Sequence, residues 1–163
     1  MTWTVWRIAT DAPTYEADDM TGIGAKLIGG RWNEKDVAVV YAAASRSLAC
    51  LETIVHLNAG GLPLNRYLVE VAIPDDVWAE REEVDGSKLV GWDARPASRT
   101  SIGFGTEWAR NRRTPVLVVP SVVVPEEVNV LVNPLHPSCA SVIAHKVRLW
   151  TYDPRVQKRH AAM

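Results

Sequence analysis

Val116-Leu117-Val118-Val119-Pro120-Ser121-Val122-Val123-Val124-Pro125-Glu126-Glu127-Val128-Asn129-Val130-Leu131-Val132 is the stretch on which the fold turns. Its β-branched residues favour extended backbone, and Pro120 and Pro125 cannot donate to a sheet ladder. The run therefore predicts short strands over 116–119, 122–124 and 128–132 that meet at bends. Upstream, Tyr67-Leu68-Val69-Glu70-Val71-Ala72-Ile73 alternates and then stops at Pro74, as a strand does. Val37 to Tyr41 reads as a buried strand and His145 to Tyr152 as a last one. Helical patterning is scarcer. Ser45 to Asn58 predicts a helix capped by Ser45 or Ser47 and stopped at Gly60-Gly61, and Thr106 to Arg113 predicts another. The class is α+β: a single compact domain with a central mixed β-core and flanking helices. The stretch 81–103 has little periodicity and contains Gly86, Gly91 and Pro96. It suits a lid over a pocket, or equally a tethered surface loop with one short helix.

Composition narrows the function class. The chain has 163 residues, 47% hydrophobic, enough for one domain with a sizeable core. Eighteen basic against nineteen acidic side chains leave a net charge of -1, so no broad electrostatic footprint for nucleic acid exists and no direct nucleic-acid partner is expected. The start, Met1 to Arg7, lacks a secretion-signal pattern, and no apolar run approaches the roughly 18 residues of a membrane span. A cytoplasmic protein without a membrane partner is expected. Cys50 and Cys139 have no CxxC spacing and the four histidines no metal template, so no metal site is expected and both thiols read as packed and reduced. A domain over 1–154 followed by a polar, basic tail over 155–163 completes the organisation.

The polar residues among these elements can form one pocket. Gly29-Gly30-Arg31-Trp32-Asn33 places glycines beside an arginine, so that backbone can approach a ligand while a guanidinium makes forked hydrogen bonds to phosphate or carboxylate oxygens. A small anionic ligand suits that combination. Glu52 lies at the border of the apolar arc of its helix, beside Leu48, where it either faces a cleft or is a solvated surface glutamate. His56 reads as a surface residue or a support for the site. Tyr41 should have a packed ring whatever its hydroxyl does. Ser121 has neither a G-x-S-x-G elbow nor an S-x-x-K spacing. A positioning hydroxyl fits it better than a nucleophile, although a serine hydrolase using His136 or His145 is an alternative. Gly22-x-Gly24 lacks the continuation of a dinucleotide-binding fingerprint.

Taken in order, Gly30-Arg31-Trp32-Asn33, Val40-Tyr41-Ala42-Ala43, Ala49-Cys50-Leu51-Glu52, Val119-Pro120-Ser121 and Asn129 to Pro137 resemble the RES-domain toxins, named after their arginine, glutamate and serine. Trp6-Arg7-Ile8 and Ile102-Gly103 followed by Trp108 extend the resemblance over nearly the whole chain. It implies the toxin of a bacterial toxin–antitoxin pair, similar in fold to the ADP-ribosyltransferases, with an Xre-like helix-turn-helix antitoxin covering the active site. It also implies that NAD is the substrate and that no resident cofactor is used. The leading expectation is cleavage of the nicotinamide–ribose bond that depletes NAD by hydrolysis or phosphorolysis. Transfer of ADP-ribose to a protein is the alternative, and a non-catalytic nucleotide- or protein-binding module a further one. The resemblance assigns catalytic roles to Glu52, Arg31, Tyr41 and Ser121. NAD-binding roles fall to Arg31, Tyr41, Gly30, Trp32, Arg7 and Asn133.

Overall fold

The computed structural model of the chain describes residues 1–57 and 60–157. Seven strands form one mixed sheet: β1 (Thr2–Thr10), β2 (Val40–Ala43), β3 (Arg66–Pro74), β4 (Glu82–Glu83), β5 (Val116–Pro120), β6 (Val128–Val132) and β7 (Ile143–Leu149). Their spatial order is β4-β5-β6-β2-β1-β3-β7. Only β4 and β5 run parallel, and every other pair is antiparallel. The helices are α1 (Ile23–Ile28), α2 (Arg46–Ile54), α3 (Asp75–Ala79) and α4 (Arg99–Arg110). This is the expected α+β class.

One pairing divides the sheet. β1 and β2 share the single bridge Trp6↔Ala43, whereas β1 follows β3 over nine positions. The sheet thus consists of two well-knit halves, β4-β5-β6-β2 and β1-β3-β7, joined at a narrow seam. Alternation of side chains across the pleat sorts the core. Val5, Ala9, Val40, Ala42, Val69, Val71, Val116, Val118, Val130 and Val132 share one buried cluster and one face. The other face carries Tyr41, Leu117, Val119 and Leu131 under α4, and Ile8, Ala43 and Leu68 under α2. Branched side chains filling both faces of the central strands explain why the valine runs read so plainly as sheet.

Several boundaries differ from those the sequence predicts. Residues 122–124 are not a strand: the amides of Val123 and Val124 turn inward to donate to Ser121 Oγ, each at 3.1 Å, which closes a turn. β2 starts at Val40 instead of Val37, because Asp36 has a left-handed φ of 76° and the Val37 carbonyl is taken by Asn33 Nδ2. Val37 and Val39 are still buried. α2 ends at Ile54, followed by exposed Val55 and His56, while the predicted end at Asn58 lies outside the described residues. Ser45 is its cap, accepting the Leu48 amide at 3.1 Å. α4 begins at Arg99 under a Ser98 cap and is over by Asn111, with Arg112 left-handed just after. The last strand is 143–149, and Tyr152 packs beyond it with Leu48. In the 81–103 stretch lie β4 and the start of α4. At the end of the chain, Pro154–Val156 form a short 3-10 turn, and the rest of the predicted tail, 158–163, lies outside the described residues.

Candidate active site

Glu52 sits one turn beyond Leu48 and Ala49, the two buried residues of α2, and so continues the stripe that α2 turns toward the sheet. Its Oε1 accepts from Ser121 Oγ at 2.6 Å and from Asn129 Nδ2 at 2.8 Å. Both donors fall on one oxygen, and Oε2 has no hydrogen-bond donor among the described residues. A carboxylate held on one side and open on the other is oriented without being used up.

Ser121 is saturated. Its one hydroxyl proton goes to Glu52, while its oxygen accepts the Val123 and Val124 amides. The serine is fully buried. Among the described residues no histidine is hydrogen-bonded to it: His136 Nδ1 accepts the Ser138 amide, and His145 is exposed on β7 beside Glu70. These bonds make Ser121 a strut for Glu52. The hydrolase reading fails on this geometry.

Arg31 stands on a loop fixed from several directions. The Tyr41 hydroxyl accepts the Trp32 amide at 3.0 Å and donates to Asn33 Oδ1 at 2.5 Å. Asn33 Nδ2 in turn donates to the carbonyls of Ala25, Glu34 and Val37. Thr106 Oγ1 accepts the Glu34 amide at 2.9 Å, and the Trp32 carbonyl abuts Gly105, where no Cβ could fit. Gly30 is needed for a steric reason, since a Cβ there would lie 2.8 Å from the Tyr41 hydroxyl and 2.9 Å from Asn33 Oδ1. The Arg31 guanidinium itself uses Nη1 to donate to the carbonyls of Trp92 and Ala94, at 2.9 and 2.8 Å. Burial pulls its pKa below the ordinary value, and the nearby Glu52 carboxylate acts against that shift. Burial likewise pushes the Tyr41 phenol well above its usual range. Tyr41 is a neutral hydrogen-bonding group at any ordinary pH.

Arg31, Tyr41, Glu52 and Ser121 therefore gather on one sheet face, with Gly30 against the Tyr41 hydroxyl. Three other expected ligand residues do not join them. Arg7 alternates with Trp6 and Ile8 on β1, and its register partner Val69 belongs to the opposite face. There it lies near Asp19 and Tyr15, with a buried Nε that has no hydrogen-bond partner among the described residues. The Trp32 indole is buried in the α4 cluster, edge-on to Phe104 at 6.2 Å, so it packs the loop from behind. Asn133 is fully buried, donating to Ala109 O and accepting the Leu135 amide. It lies four residues along from Asn129, about 13 Å of strand. Trp32 and Asn133 thus make framework contacts, and Arg7 lies on the face away from Glu52. In the opposite sense, Asn129 carries no expected role yet grips Glu52. An amide inside Val128 to Val132, on the same pleat face as Leu131, is the signal: a side chain with two donors set among valines needs a partner.

Residues 4–155 match the RES domain family. The chain belongs to that family. The RES domain here is 62% identical over 160 residues to the Prs ADP-ribosylating toxin of Sphingobium sp. (strain YBL2), covering 98% of this chain and 99% of that one. It is 37% identical over 144 residues to Toxin Res of Yersinia enterocolitica, covering 88% and 93%. In fold it resembles a chain of the M. tuberculosis MbcT–MbcA toxin–antitoxin complex, with a TM-score of 0.57, 16% identity and coverage of 90% and 85%. No helix among the described residues is long and apolar enough to cross a membrane.

Proposed function

We propose that this RES domain cleaves the nicotinamide–ribose bond of NAD and transfers the ADP-ribose to a protein, the host's Prs. Glu52 carries the reading: a carboxylate oriented through Oε1 by Ser121 and Asn129, with no donor on Oε2 among the described residues. The C–N bond breaks with its electron pair leaving on nicotinamide, through an oxocarbenium-like state that the Glu52 anion stabilises while accepting a ribose hydroxyl. Nicotinamide is a good leaving group, so no strong general acid is needed. The acceptor's nucleophile then closes on the anomeric carbon and gives up its proton. Arg31 binds the pyrophosphate by charge-assisted hydrogen bonds, and the Tyr41 ring flanks the nicotinamide end.

The protein acceptor is supported by the name of the Sphingobium relative and its 62% identity across both chains. That shifts preference from NAD depletion, the leading expectation from sequence, to transfer. An Xre-like antitoxin holds the enzyme inactive by covering the mouth of the site, in keeping with the toxin–antitoxin complex that shares the fold. The test is to incubate the purified chain with adenylate-labelled NAD and host Prs. The expected result is nicotinamide release with label on Prs. Free ADP-ribose or ADP-ribose-1″-phosphate with unlabelled protein would move the reading to hydrolysis or phosphorolysis. No nicotinamide at all would overturn NAD cleavage.

A further inference from the structure

Arg31 and Arg95 are drawn together by neutral anchors. Arg31 Nη1 donates to the carbonyls of Trp92 and Ala94, and Arg95, the next residue, sends Nη2 to the Val122 carbonyl at 2.9 Å. Val122 follows Ser121, whose hydroxyl lies on Glu52. Arg95 thus ties the 92–95 segment to the Ser121 turn, one residue from the serine that holds Glu52. Its positive charge is near enough to act on Arg31, adding to the effect of burial there.

Neither guanidinium takes part in an ion pair among the described residues. Glu52 and Asp93 act on Arg31 only through space. Glu52 Oε1 is taken by Ser121 and Asn129, while exposed Asp93 accepts no hydrogen bond from either arginine. Two like charges held close without a bonded counter-ion repel each other, which costs energy until an anion sits between them. Each guanidinium has five N–H donors, and the carbonyl bonds occupy one nitrogen of each. The remaining donors carry no hydrogen bond among the described residues and suit a ligand with two adjacent anionic groups.

We infer that Arg95 is a second binding residue for the pyrophosphate of NAD, so that Arg31 and Arg95 each take one phosphate. The inference rests on the NAD reading for the identity of the ligand, but its chemistry is that of any diphosphate ester. It gives the 81–103 stretch a role: the segment carries a ligand-binding arginine and braces Arg31 by its carbonyls.

The test uses the full chain free of any partner, with Arg95→Gln and Arg95→Lys. Glutamine keeps a polar amide donor but has no charge. Arg95→Gln is therefore expected to raise the KM for NAD about tenfold, with a smaller fall in kcat, and Arg95→Lys to recover part of the loss. Calorimetry with ADP and AMP supplies a readout that needs no turnover. The parent should prefer the diphosphate, and Arg95→Gln should lose most of that preference. If Arg95→Gln keeps the parental KM and ADP preference, Arg95 is only a tether to Val122 and the inference is overturned. If the parent releases no nicotinamide yet prefers ADP through Arg95, the diphosphate site stands and the NAD-cleavage reading falls. If the parent shows neither turnover nor ADP preference, both fall.

Discussion

Ser121 Oγ donates its proton to Glu52 Oε1 at 2.6 Å across 69 residues of sequence. Because the same oxygen accepts two backbone amides, removing it unsettles both the carboxylate and the turn. Ser121→Ala is expected to destabilise the fold by about 1–3 kcal/mol through amides left without an acceptor. Nicotinamide release should fall as well. An acylating serine probe should leave the parent unlabelled, and stoichiometric labelling of Ser121 would return the hydrolase reading to contention.

Glu52→Gln keeps the shape and an oxygen for Ser121 and Asn129 but removes the anion. Loss of such electrostatic stabilisation costs about 100-fold or more in rate. The expected result is a folded variant, with parental thermal unfolding, whose nicotinamide release drops by at least that factor. Parental turnover in that variant would take Glu52 out of the mechanism.

Arg31→Lys exchanges a planar fork for a point charge that cannot reach two carbonyls and a phosphate together. Its defect should lie chiefly in NAD affinity, read by calorimetry, with the 92–95 segment loosened and more susceptible to protease. An affinity equal to the parent's would make Arg31 a purely structural anchor for that segment.

The Tyr41 hydroxyl supports the Arg31 loop and is kept neutral mainly by burial, with the Trp32 amide and the Arg31 charge opposing the shift. Its folded pKa is raised above the unfolded value of roughly 10, so the folded chain holds this proton longer. The stabilisation is fully present below pH ~10 and is lost as pH rises through the folded value. Tyr41→Phe should therefore leave the tyrosinate absorbance of the still-folded protein at pH about 11 unchanged. A drop in that absorbance would show Tyr41 ionising in the native state.

Gly30→Ala tests the same loop by crowding. The added methyl would press on the Tyr41 hydroxyl and Asn33 Oδ1, and both are already hydrogen-bonded to each other. A cost of about 1–3 kcal/mol in denaturant unfolding is expected. Tyr41→Phe combined with Gly30→Ala should cost less than the sum, because the phenylalanine removes the atom most in the way.

Much of this architecture was legible in the residues. The central strands announce themselves because the valines of β5 and β6 are buried on both faces, and β3 stops at its proline. A serine cap at Ser45 or Ser47 and Glu52 beside Leu48 follow from helical spacing alone. What stayed hidden depends on distant partners. β1 mixes threonine and tryptophan with arginine, since part of its surface is open, and so hides its period. α4 is masked by Gly103 and Gly105, yet Gly105 is there because the helix backs onto the Trp32 carbonyl. The 122–124 valines look like a strand until Ser121 captures their amides. Arg7, Trp32 and Asn133 stand in the right motifs, but motif membership does not say which side of a sheet a residue faces.

The grip of Asn129 on Glu52 also has a bearing on synthesis. The carboxylate is made early and its two donors late, on a turn and a strand that require β5 and β6 to be in place. A chain still emerging from the ribosome carries Arg31, Tyr41 and Glu52 long before anything orients the glutamate. The oriented carboxylate is thus deferred until about four-fifths of the sequence has been translated.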